Sequence, residues 1–406
     1  MNNAKIKSLK AREILDSRGN PAVEVELVTG LGSFQASAPS GASVGRYEAI
    51  ELRDGGKRFL GKGVLKAVKS INEVIGLKIK GMDCTSQKKI DDLMIELDGT
   101  KNKSELGANA ICAVSLAVCR AGAAAKRLNL FQYIKEISGS SECRMPVPLF
   151  NVINGGAHAG NRLDIQEFMI VPQEKSFSKN LQTGVEIYHQ LRNLLLKRYG
   201  GMAVNLGDEG GFVPPLTIAE QAIELILKSA KDKKIKIVLD VAASQFFKKG
   251  KYKMQMGVFT REGLMRYYSD LVSKYPVIGL EDPFSEDDWE GFKAIIKELG
   301  KKVLIIGDDL LVTNPERVKK AEKAVNGMIV KINQIGTVSE ALESVKLAKS
   351  FGWKIIVSHR SGETTDDFIS DFAVGIGADF IKTGAPARGE RVVKYNRLLK
   401  IEELGL

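Results

Sequence analysis

Hydrophobic and polar residues follow two different patterns along the chain, and the change comes near residue 140. In residues 5–10, 21–28 and 32–38 apolar and polar positions alternate, which is typical of half-buried antiparallel strands. Helical spacing follows at 64–75, 87–97 and 107–128, with a short piece that ends at 137. The first part of the chain is therefore predicted to be an α+β unit, with three strands followed by helices.

Beyond residue 140, continuous apolar runs alternate with helical segments. Two apolar pieces, 147–153 and 165–171, precede a predicted helix at 176–198. Six more runs follow, each with its own helical segment, and alternation at this spacing implies a buried parallel sheet. The helical segments lie near 261–274, 286–299, 314–325, 337–351, 364–376 and 390–404. Because Ser-Gly-Ser-Ser-Glu at 138–142 suggests a linker, we expect two domains, 1–137 and 143–406.

Each of the six regular runs ends in an ionisable side chain. In a (β/α) barrel the carboxyl ends of all strands meet on one face, where such enzymes place their chemistry. A doubly wound open sheet is the competing fold, but its ligand site uses fewer strand ends. The pattern therefore favours a barrel in which all six side chains surround one pocket. They are Asp240, Glu281, Asp308, Lys331, His359 and Lys382.

Three of these strand ends, Asp240, Glu281 and Asp308, are carboxylates. Three carboxylates in one pocket repel each other unless they are protonated or neutralised. A divalent cation removes the repulsion, and all-oxygen ligands favour Mg²⁺ over zinc. The alternative is structural, because the same side chains could cap the following helices or pair with lysines.

Lysines and further carboxylates supply candidates for acid–base chemistry. Beside a metal and a second cation, Lys331 or Lys382 is expected to have a lowered pKa and to serve as a general base, although structural ion pairs are the alternative. Glu209 and Glu167 are both candidates for the acid on the opposite side. The structural alternative is that Glu209 is only a turn residue and that Glu167 faces outward.

Anion-binding groups cluster after one predicted strand. His359, Arg360 and Ser361 bring an imidazole, a guanidinium and a hydroxyl into one tight loop, which suits a phosphate or a carboxylate. The glycine-rich loop at 38–45, with Ser43, suits a mobile lid, and His158 lies in a second glycine loop. These features predict a Mg²⁺-dependent enzyme that removes a proton next to a carboxylate.

Composition narrows the class of protein. The net charge is +11, but the lysines are scattered and no arginine–aromatic stripe is present, so nucleic-acid binding is not expected. The four cysteines form no C-x-x-C pair, which indicates a reducing compartment. The N-terminus lacks an apolar signal region, and the apolar run at 108–125 is interrupted by Arg120. We therefore expect a cytoplasmic protein without a membrane span.

A series of motifs runs nearly from end to end and resembles the enolase family. Several carry the candidate residues named above. The series comprises Asp-Ser-Arg-Gly-Asn-Pro at 16–21, Ser-Gly-Ala-Ser at 40–43, Asn-Gly-Gly-Ala-His-Ala-Gly at 154–160, Gln-Glu-Phe-Met at 166–169, Gly-Asp-Glu-Gly-Gly at 207–211, Asp-Val-Ala-Ala-Ser at 240–244, Glu-Asp-Pro at 281–283, Gly-Asp-Asp-Leu at 307–310, Lys-Ile-Asn-Gln-Ile-Gly at 331–336, Ser-His-Arg-Ser-Gly-Glu-Thr at 358–364 and Lys-Thr-Gly-Ala-Pro-Ala-Arg at 382–388.

The resemblance implies an α/β fold, with a β3α4 N-terminal domain and a modified TIM barrel, β2α2(βα)6. It implies the glycolytic and gluconeogenic reaction of enolases, the reversible dehydration of 2-phosphoglycerate to phosphoenolpyruvate. By matching motif, Lys331 would remove the C2 proton and Glu209 would assist loss of the 3-hydroxyl. The resemblance also implies a homodimer or a larger homo-oligomer.

The same resemblance implies two Mg²⁺ ions, which would stabilise an enolate-like intermediate. Asp240, Glu281 and Asp308 would hold the first ion, with Asp309 the less favoured ligand, and Ser43 would help to hold a second ion that arrives with the substrate. The substrate shell would be His158, Gln166, Glu167, His359, Arg360, Ser361 and Lys382.

Departures from the family pattern occur at Ala22, Ala157, Gln245 and Gly389, and two rival functions remain. Gln245 stands where many relatives carry Glu, which leaves the surroundings of Asp240 open, and the segment 245–259 is short for a lid. A racemase or cycloisomerase of a carboxylic acid would share the barrel and the metal carboxylates, but not the loops that carry Ser43, Glu209 and Arg360. An inactive binding protein would have lost a ligand or the base, and all are present.

Overall fold

The computed structural model describes residues 3–42 and 44–406, and for His158 the main chain alone. It begins with an antiparallel sheet in the order β1–β2–β3, formed by Ser8–Leu15, Pro21–Val28 and Ser33–Ser37. Asp16 closes the first turn, because its carboxylate accepts the main-chain N–H groups of Arg18 and Asn20 at 2.8 Å. The first strand lies later than the predicted 5–10, since the Ile6 N–H donates to Met82 instead.

Helices pack against this sheet, as the helical spacing predicts. The longest of them, α4, is apolar enough to cross a membrane, but 83% of its most apolar stretch is buried inside the protein. It packs on β2 and β3 as a core helix. The helices are α1 (Leu65–Lys69), α2 (Gly76–Ile79), α3 (Gln87–Asp98), α4 (Ala108–Lys126) and α5 (Leu130–Ser138), with a wider π turn, Ser70–Ile75, between α1 and α2.

Eight strands then close into a barrel, which confirms the predicted fold class. Around the barrel the order is β10–β11–β12–β13–β14–β4–β5–β6. Strand β5 runs antiparallel to both neighbours, and every other pair is parallel. The strands are β4 (Val147–Asn154), β5 (Glu167–Pro172), β6 (Ile235–Asp240), β10 (Val277–Glu281), β11 (Leu304–Gly307), β12 (Gly327–Val330), β13 (Lys354–Ser358) and β14 (Phe380–Lys382).

Helices surround the barrel in the predicted β2α2(βα)6 order. The segment after β6 is a small three-stranded antiparallel sheet, formed by β7 (Phe247–Lys248), β8 (Lys251–Met254) and β9 (Gly257–Phe259). The helices are α6 (Phe177–Tyr199), α7 (Ala219–Ala230), α8 (Arg261–Lys274), α9 (Trp289–Leu299), α10 (Pro315–Lys320), α11 (Ile332–Ile335), α12 (Val338–Ser350), α13 (Phe368–Gly375) and α14 (Gly389–Glu402).

The barrel interior is apolar, and the polar groups collect at one end. A small cluster of buried apolar side chains, including Met169, Ile306 and Ile356, fills the barrel axis. Ionisable residues lie where the parallel strands end, because the apolar runs stop there. The chemistry is thus confined to one rim. The domain limits at 137 and 143 stay a prediction.

Candidate active site

The six ionisable strand ends do converge on one rim of the barrel. Together with residues of neighbouring loops, five of them line one narrow pocket. Glu281 does not line it; its fully buried carboxylate reaches the group by accepting hydrogen bonds from Lys382 at 2.9 Å. The lining residues are Gln166, Glu167, Glu209, Asp240, Ala242, Asp282, Asp308, Asp309, Lys331, Ser358, His359, Arg360, Ser361 and Lys382.

Glu167 reaches this rim from the first residue of its strand. Because β5 runs antiparallel to β6, its beginning lies beside the end of β6, and Glu167 pairs with Asp240 in the strand register. The side chain is buried, so the structure rejects the outward-facing alternative. An irregular strand direction thus adds a carboxylate to the ring.

Lys382 is the central cation of the rim. Its ammonium group lies 3.1 Å from Glu167, 3.0 Å from Asp240 and 2.9 Å from Glu281. Burial alone would lower the pKa of Lys382, but these three carboxylates raise it well above its ordinary value. Lys382 is therefore a permanently charged group in this arrangement.

Lys331 forms a second ion pair on the other side of the rim. Its ammonium donates to Asp308, whose other oxygen accepts an N–H from Gln334 at 2.9 Å. Burial acts to lower the pKa of Lys331, but the Asp308 carboxylate outweighs it and the net pKa is raised. The ion pair with Asp308 corresponds to the structural alternative, and the lowered pKa, which was expected for a lysine beside a metal ion, stays a prediction.

Glu209 and His359 form the acid side of the pocket. The Glu209 carboxylate accepts an N–H from Asn151 at 2.8 Å and lies 3.7 Å from Nε2 of His359. Burial and the nearby Glu209 charge raise the pKa of Glu167 well above its usual range. Glu167 consequently keeps a proton to a higher pH than an exposed glutamate does.

The loop of His359, Arg360 and Ser361, here called the anion loop, forms an ion pair with Glu48. This glutamate was not predicted from the sequence. The guanidinium of Arg360 donates two hydrogen bonds to Glu48, at 2.8 and 3.1 Å. Glu48 also accepts the Gly45 N–H at 2.9 Å, and the Ser361 hydroxyl accepts the Ala42 N–H at 2.6 Å. The glycine-rich loop thus rests on the anion loop.

Ser43 lies outside the described residues, and so does the side chain of His158. Their predicted roles as a metal ligand and a substrate contact therefore stay predictions. The main chain of His158 belongs to a short 3₁₀ turn, Gly156–His158, that follows β4.

Gln245 contacts the rim through Gln166. Its side-chain amide donates to Gln166 at 3.0 Å, and Gln166 donates to Asp240 at 3.3 Å. A glutamate at this position could not donate to Gln166 while ionised. The departure from the family pattern therefore affects a hydrogen-bond chain that ends on Asp240.

The donor set fits a divalent cation on grounds of charge. Two lysines are paired with four carboxylates, those of Glu167, Asp240, Glu281 and Asp308, and burial, then the charge of Asp240, raises the pKa of Glu281 well above its ordinary value. One oxygen of the buried Glu167 also accepts no hydrogen bond within the described residues. Asp240, Glu281 and Asp308 offer carboxylate oxygens alone, the chemistry that Mg²⁺ prefers.

Within the described residues, the side chains whose possible ligand atoms all lie within 4.8 Å of one another form two groups, and neither is the predicted set Asp240, Glu281 and Asp308. One is Asp282, Asp308 and Asp309, and the other is Glu167, Glu209 and His359. In the first group, both oxygens of Asp282 already accept N–H groups, from Asp308 at 3.0 Å and from Asp309 at 2.7 Å. Asp282 therefore shapes the loop, and burial with Asp309 beside it raises its pKa.

Several residues of the site were not predicted from the sequence. Asp282 and Asp309 directly follow predicted strand ends, so the doubled carboxylates were a signal that strand periodicity did not use. Glu48 is 312 positions away from Arg360, and no local pattern connects them. Asn151 lies inside a strand, and Arg391 lies in a helix that reads as an ordinary polar surface.

Comparison with known proteins covers almost the whole chain. Residues 6–134 match the family described as "Enolase, N-terminal domain", and residues 142–405 match "Enolase, C-terminal TIM barrel domain". The chain is 54% identical to Enolase B of Dictyostelium discoideum, with 98% of this chain and 94% of the relative covered. It is 53% identical to an enolase of Methanocaldococcus jannaschii (99% and 96% covered) and 52% identical to one of Thermococcus gammatolerans (99% and 95%). The chain therefore belongs to the enolase family of metal-dependent hydro-lyases, the phosphopyruvate hydratases.

Proposed function

We propose that the rim pocket catalyses the reversible dehydration of 2-phosphoglycerate to phosphoenolpyruvate, with Lys331 as the base at C2 and Glu209 as the acid that assists loss of the 3-hydroxyl. The observation that carries this proposal is the convergence of both side chains on one closed rim. Lys331 follows β12, whereas Glu209 is bonded to β4, three strands further around the barrel. A substrate between them could meet a base and an acid on different sides.

The neighbours of Lys331 control its use as a base. The positive charges of Arg360 and Lys382 lower its pKa, and the Asp308 carboxylate raises it. Lys331 therefore becomes a neutral amine more easily when the Asp308 oxygen binds another partner in place of the lysine. The basicity of Lys331 is in this way linked to what Asp308 binds. Mg²⁺ held by Asp240, Glu281 and Asp308 would supply positive charge for the substrate carboxylate.

On the acid side, the chain holds a proton where the leaving oxygen would be. Asn151 fixes one oxygen of Glu209, and Glu167 beside it has a raised pKa. A proton held on the buried Glu167 carboxyl, next to Glu209, would be close to a departing hydroxyl.

The anion loop would hold the substrate phosphate. Arg360 offers a charged planar donor and Ser361 a hydroxyl, which together suit a phosphate. We assign the other substrate contacts as the family motifs imply, to His158, Gln166, Glu167, His359 and Lys382.

Three finer statements belong to the same proposal. We infer that two Mg²⁺ ions act per site, the second with Ser43 and the substrate, and that the protein is a homodimer or a larger homo-oligomer. We also place it in the cytoplasm, a compartment compatible with the free cysteines Cys84, Cys112, Cys119 and Cys143.

Turnover by the purified protein tests the main proposal. With 2-phosphoglycerate and Mg²⁺ the protein should form phosphoenolpyruvate, detected by its ultraviolet absorbance, and EDTA should abolish the reaction. Lys331→Ala should lose about 10²–10⁴-fold in kcat, the range that a positioned base contributes. As a control, Lys354→Ala removes an exposed lysine from the beginning of β13 and should leave turnover unchanged.

Hydrogen exchange at C2 separates the two roles. In deuterated water, Glu209→Gln should still exchange the C2 hydrogen of 2-phosphoglycerate while product formation is lost, and Lys331→Ala should lose both. No product from the wild-type protein with Mg²⁺ would refute the proposed function. Loss of exchange in the Glu209 variant alone would reverse the assignment of base and acid.

A further inference from the structure

One buried arginine joins the two loops that carry the acid side and the anion side. Arg391 lies near the beginning of α14, and its side chain has no exposed surface. It donates to the main-chain oxygens of Arg360 at 2.6 Å, Ser361 at 2.7 Å and Asp208 at 3.0 Å. Asp208 directly precedes Glu209, so this single side chain fixes both loops relative to each other.

The same guanidinium also lies 2.7 Å from Nδ1 of His359. An arginine side chain has only donors, so the histidine nitrogen at this distance must be the acceptor. If Nδ1 of His359 carried a proton, two donors, this N–H and an N–H of Arg391, would point at each other. In the neutral ring the proton must therefore be on Nε2.

Nε2 of His359 faces the reaction pocket. The residue lines the cavity, and this nitrogen makes no hydrogen bond within the described residues, although it lies 3.7 Å from Glu209. A buried donor without a partner is costly, so the site is incomplete until an oxygen arrives. Gly384 packs closely against both side chains. A Cβ at this position would lie only 3.2 Å from Cε1 of His359 and 3.0 Å from Cδ of Arg391, so the ring has little room to move on this side.

We propose that Arg391 is a positioning residue that fixes His359 as the Nε2–H tautomer, so that His359 presents a neutral N–H donor to a substrate oxygen next to Glu209. Only the identity of that oxygen rests on the proposed function; the tautomer is a property of the free protein. A protonated Nε2 has no lone pair for a metal, so the group Glu167, Glu209 and His359 is not an ion site through this nitrogen.

Charge supports the same assignment. Burial, and then the positive charge of Arg391, lowers the pKa of His359 well below its ordinary value. Of the groups that face the ring, Lys382 and Lys331 also lower the pKa, and Glu209 raises it. The ring therefore stays neutral over the working pH range, which suits a fixed donor and not a group that exchanges its own proton.

Nitrogen NMR of the free protein tests the tautomer directly. The chain has only three histidines, so ¹⁵N-histidine labelling gives three ring systems, and His359→Gln identifies the signal of His359. We expect a protonated Nε2 and an unprotonated Nδ1 that do not change between about pH 5 and pH 8. A proton on Nδ1, or titration within this range, would overturn the proposal whether or not the protein has activity.

Substitution of Arg391 tests its role. Arg391→Lys should lower kcat by about 10–100-fold, the range for residues that orient a functional histidine, and KM should change less. Its ¹⁵N spectrum should show His359 as a mixture of tautomers. The control is Arg397→Lys on the same helix, where the arginine donates to Asp371 at 2.6 and 2.7 Å outside the site; it should leave kcat and the spectrum unchanged.

A double-substitution cycle separates tautomer control from general support of the loops. Glutamine places an N–H donor near the position of Nε2, so His359→Gln should keep more activity than His359→Asn. In the His359→Gln background Arg391→Lys should cost clearly less than in the wild type, because no tautomer remains to be fixed. Equal costs in both backgrounds would refute control through His359.

Discussion

Two buried polar clusters, one around a single carboxylate and one around three, differ in how completely the protein pairs their charges. Between α3 and α12, Asp91 accepts hydrogen bonds from the main chain and hydroxyl of Ser339, at 3.1 and 2.6 Å, and from Gln87 at 3.1 Å. At the barrel rim, Lys382 joins Glu167, Asp240 and Glu281, and it donates to both oxygens of Glu281. Neutral donors of the chain complete the first cluster, whereas the second holds three carboxylates around one lysine.

The contrast shows how a structural carboxylate differs from a functional one. Both clusters are buried, and burial raises pKa values in each, to about 6 for Asp91 and well above the usual range for Glu281. The difference lies in the partners, because hydrogen bonds from neutral groups complete Asp91, whereas Glu281 shares one lysine. Incomplete neutralisation therefore marks the site where a cation is expected to act.

The largest expected effect comes from removing the central cation of the rim. Lys382→Met leaves three buried carboxylates without their common partner, so the free energy of unfolding should fall by about 3–5 kcal/mol and turnover should be lost. Urea unfolding measures this change, and added Mg²⁺ should restore part of the stability.

Lys354→Met is the matched control for that variant. Lys354 pairs with Asp379 at 2.8 Å on the exposed surface, and its loss should cost no more than about 1 kcal/mol. Equal losses in the two variants would show that the rim lysine is an ordinary ion pair.

Replacing one rim carboxylate should affect Mg²⁺ more than folding. Glu281→Gln keeps an oxygen for Lys382 but removes a charge, so the Mg²⁺ concentration for half-maximal turnover should rise by at least about 100-fold, beyond what the loss of an outer-shell group costs. The free energy of unfolding without Mg²⁺ should change by less than about 1 kcal/mol. Full activity at low Mg²⁺ would remove Glu281 from the metal site.

Asp91 provides the corresponding test for the structural cluster, through pH. Its folded pKa of about 6 lies above the ordinary value of about 3.9, so the folded state binds the proton more tightly. This contribution to stability is complete below about pH 4 and is lost as the pH rises through 6, a change of about 2–3 kcal/mol.

Asp91→Asn should remove this pH dependence. Relative to the wild type, the variant should gain about 2 kcal/mol in unfolding free energy between pH 4 and pH 7, as measured by urea unfolding at both values. Its Mg²⁺ requirement should be unchanged, in contrast to Glu281→Gln. If the difference in unfolding free energy between the variant and the wild type does not vary with pH, the pKa of Asp91 is not raised in the folded state.

The smallest effect is expected at Gln245. Gln245→Glu places a charge behind Gln166 and removes a donor from the chain that ends on Asp240. The added negative charge at that distance should strengthen Mg²⁺ binding by about two- to fivefold, with kcat within about twofold of the wild type. A titration of activity with Mg²⁺ measures both, and weaker Mg²⁺ binding would show that the hydrogen bond matters more than the charge.

Much of the fold was predictable because its signals are local. The apolar runs that end at Asp240, Glu281 and Lys382 became strands with those residues at their ends. The first strand was misplaced, because the alternation at 5–10 does not reveal that Ile6 pairs with Met82. The helix predicted at 314–325 ends at Lys320, and the small sheet after β6 had no clear periodic signal.

By itself, the sequence determined which residue types stand at the strand ends and, through the motif series, the family. The tertiary structure decided which of them touch. It paired Lys331 with Asp308, turned Glu167 inward through the reversed direction of β5, and brought Arg391 to His359. The physical reason is that periodicity reports the burial of a residue along its own element, whereas pKa, tautomer and ion pairing depend on partners from distant parts of the chain.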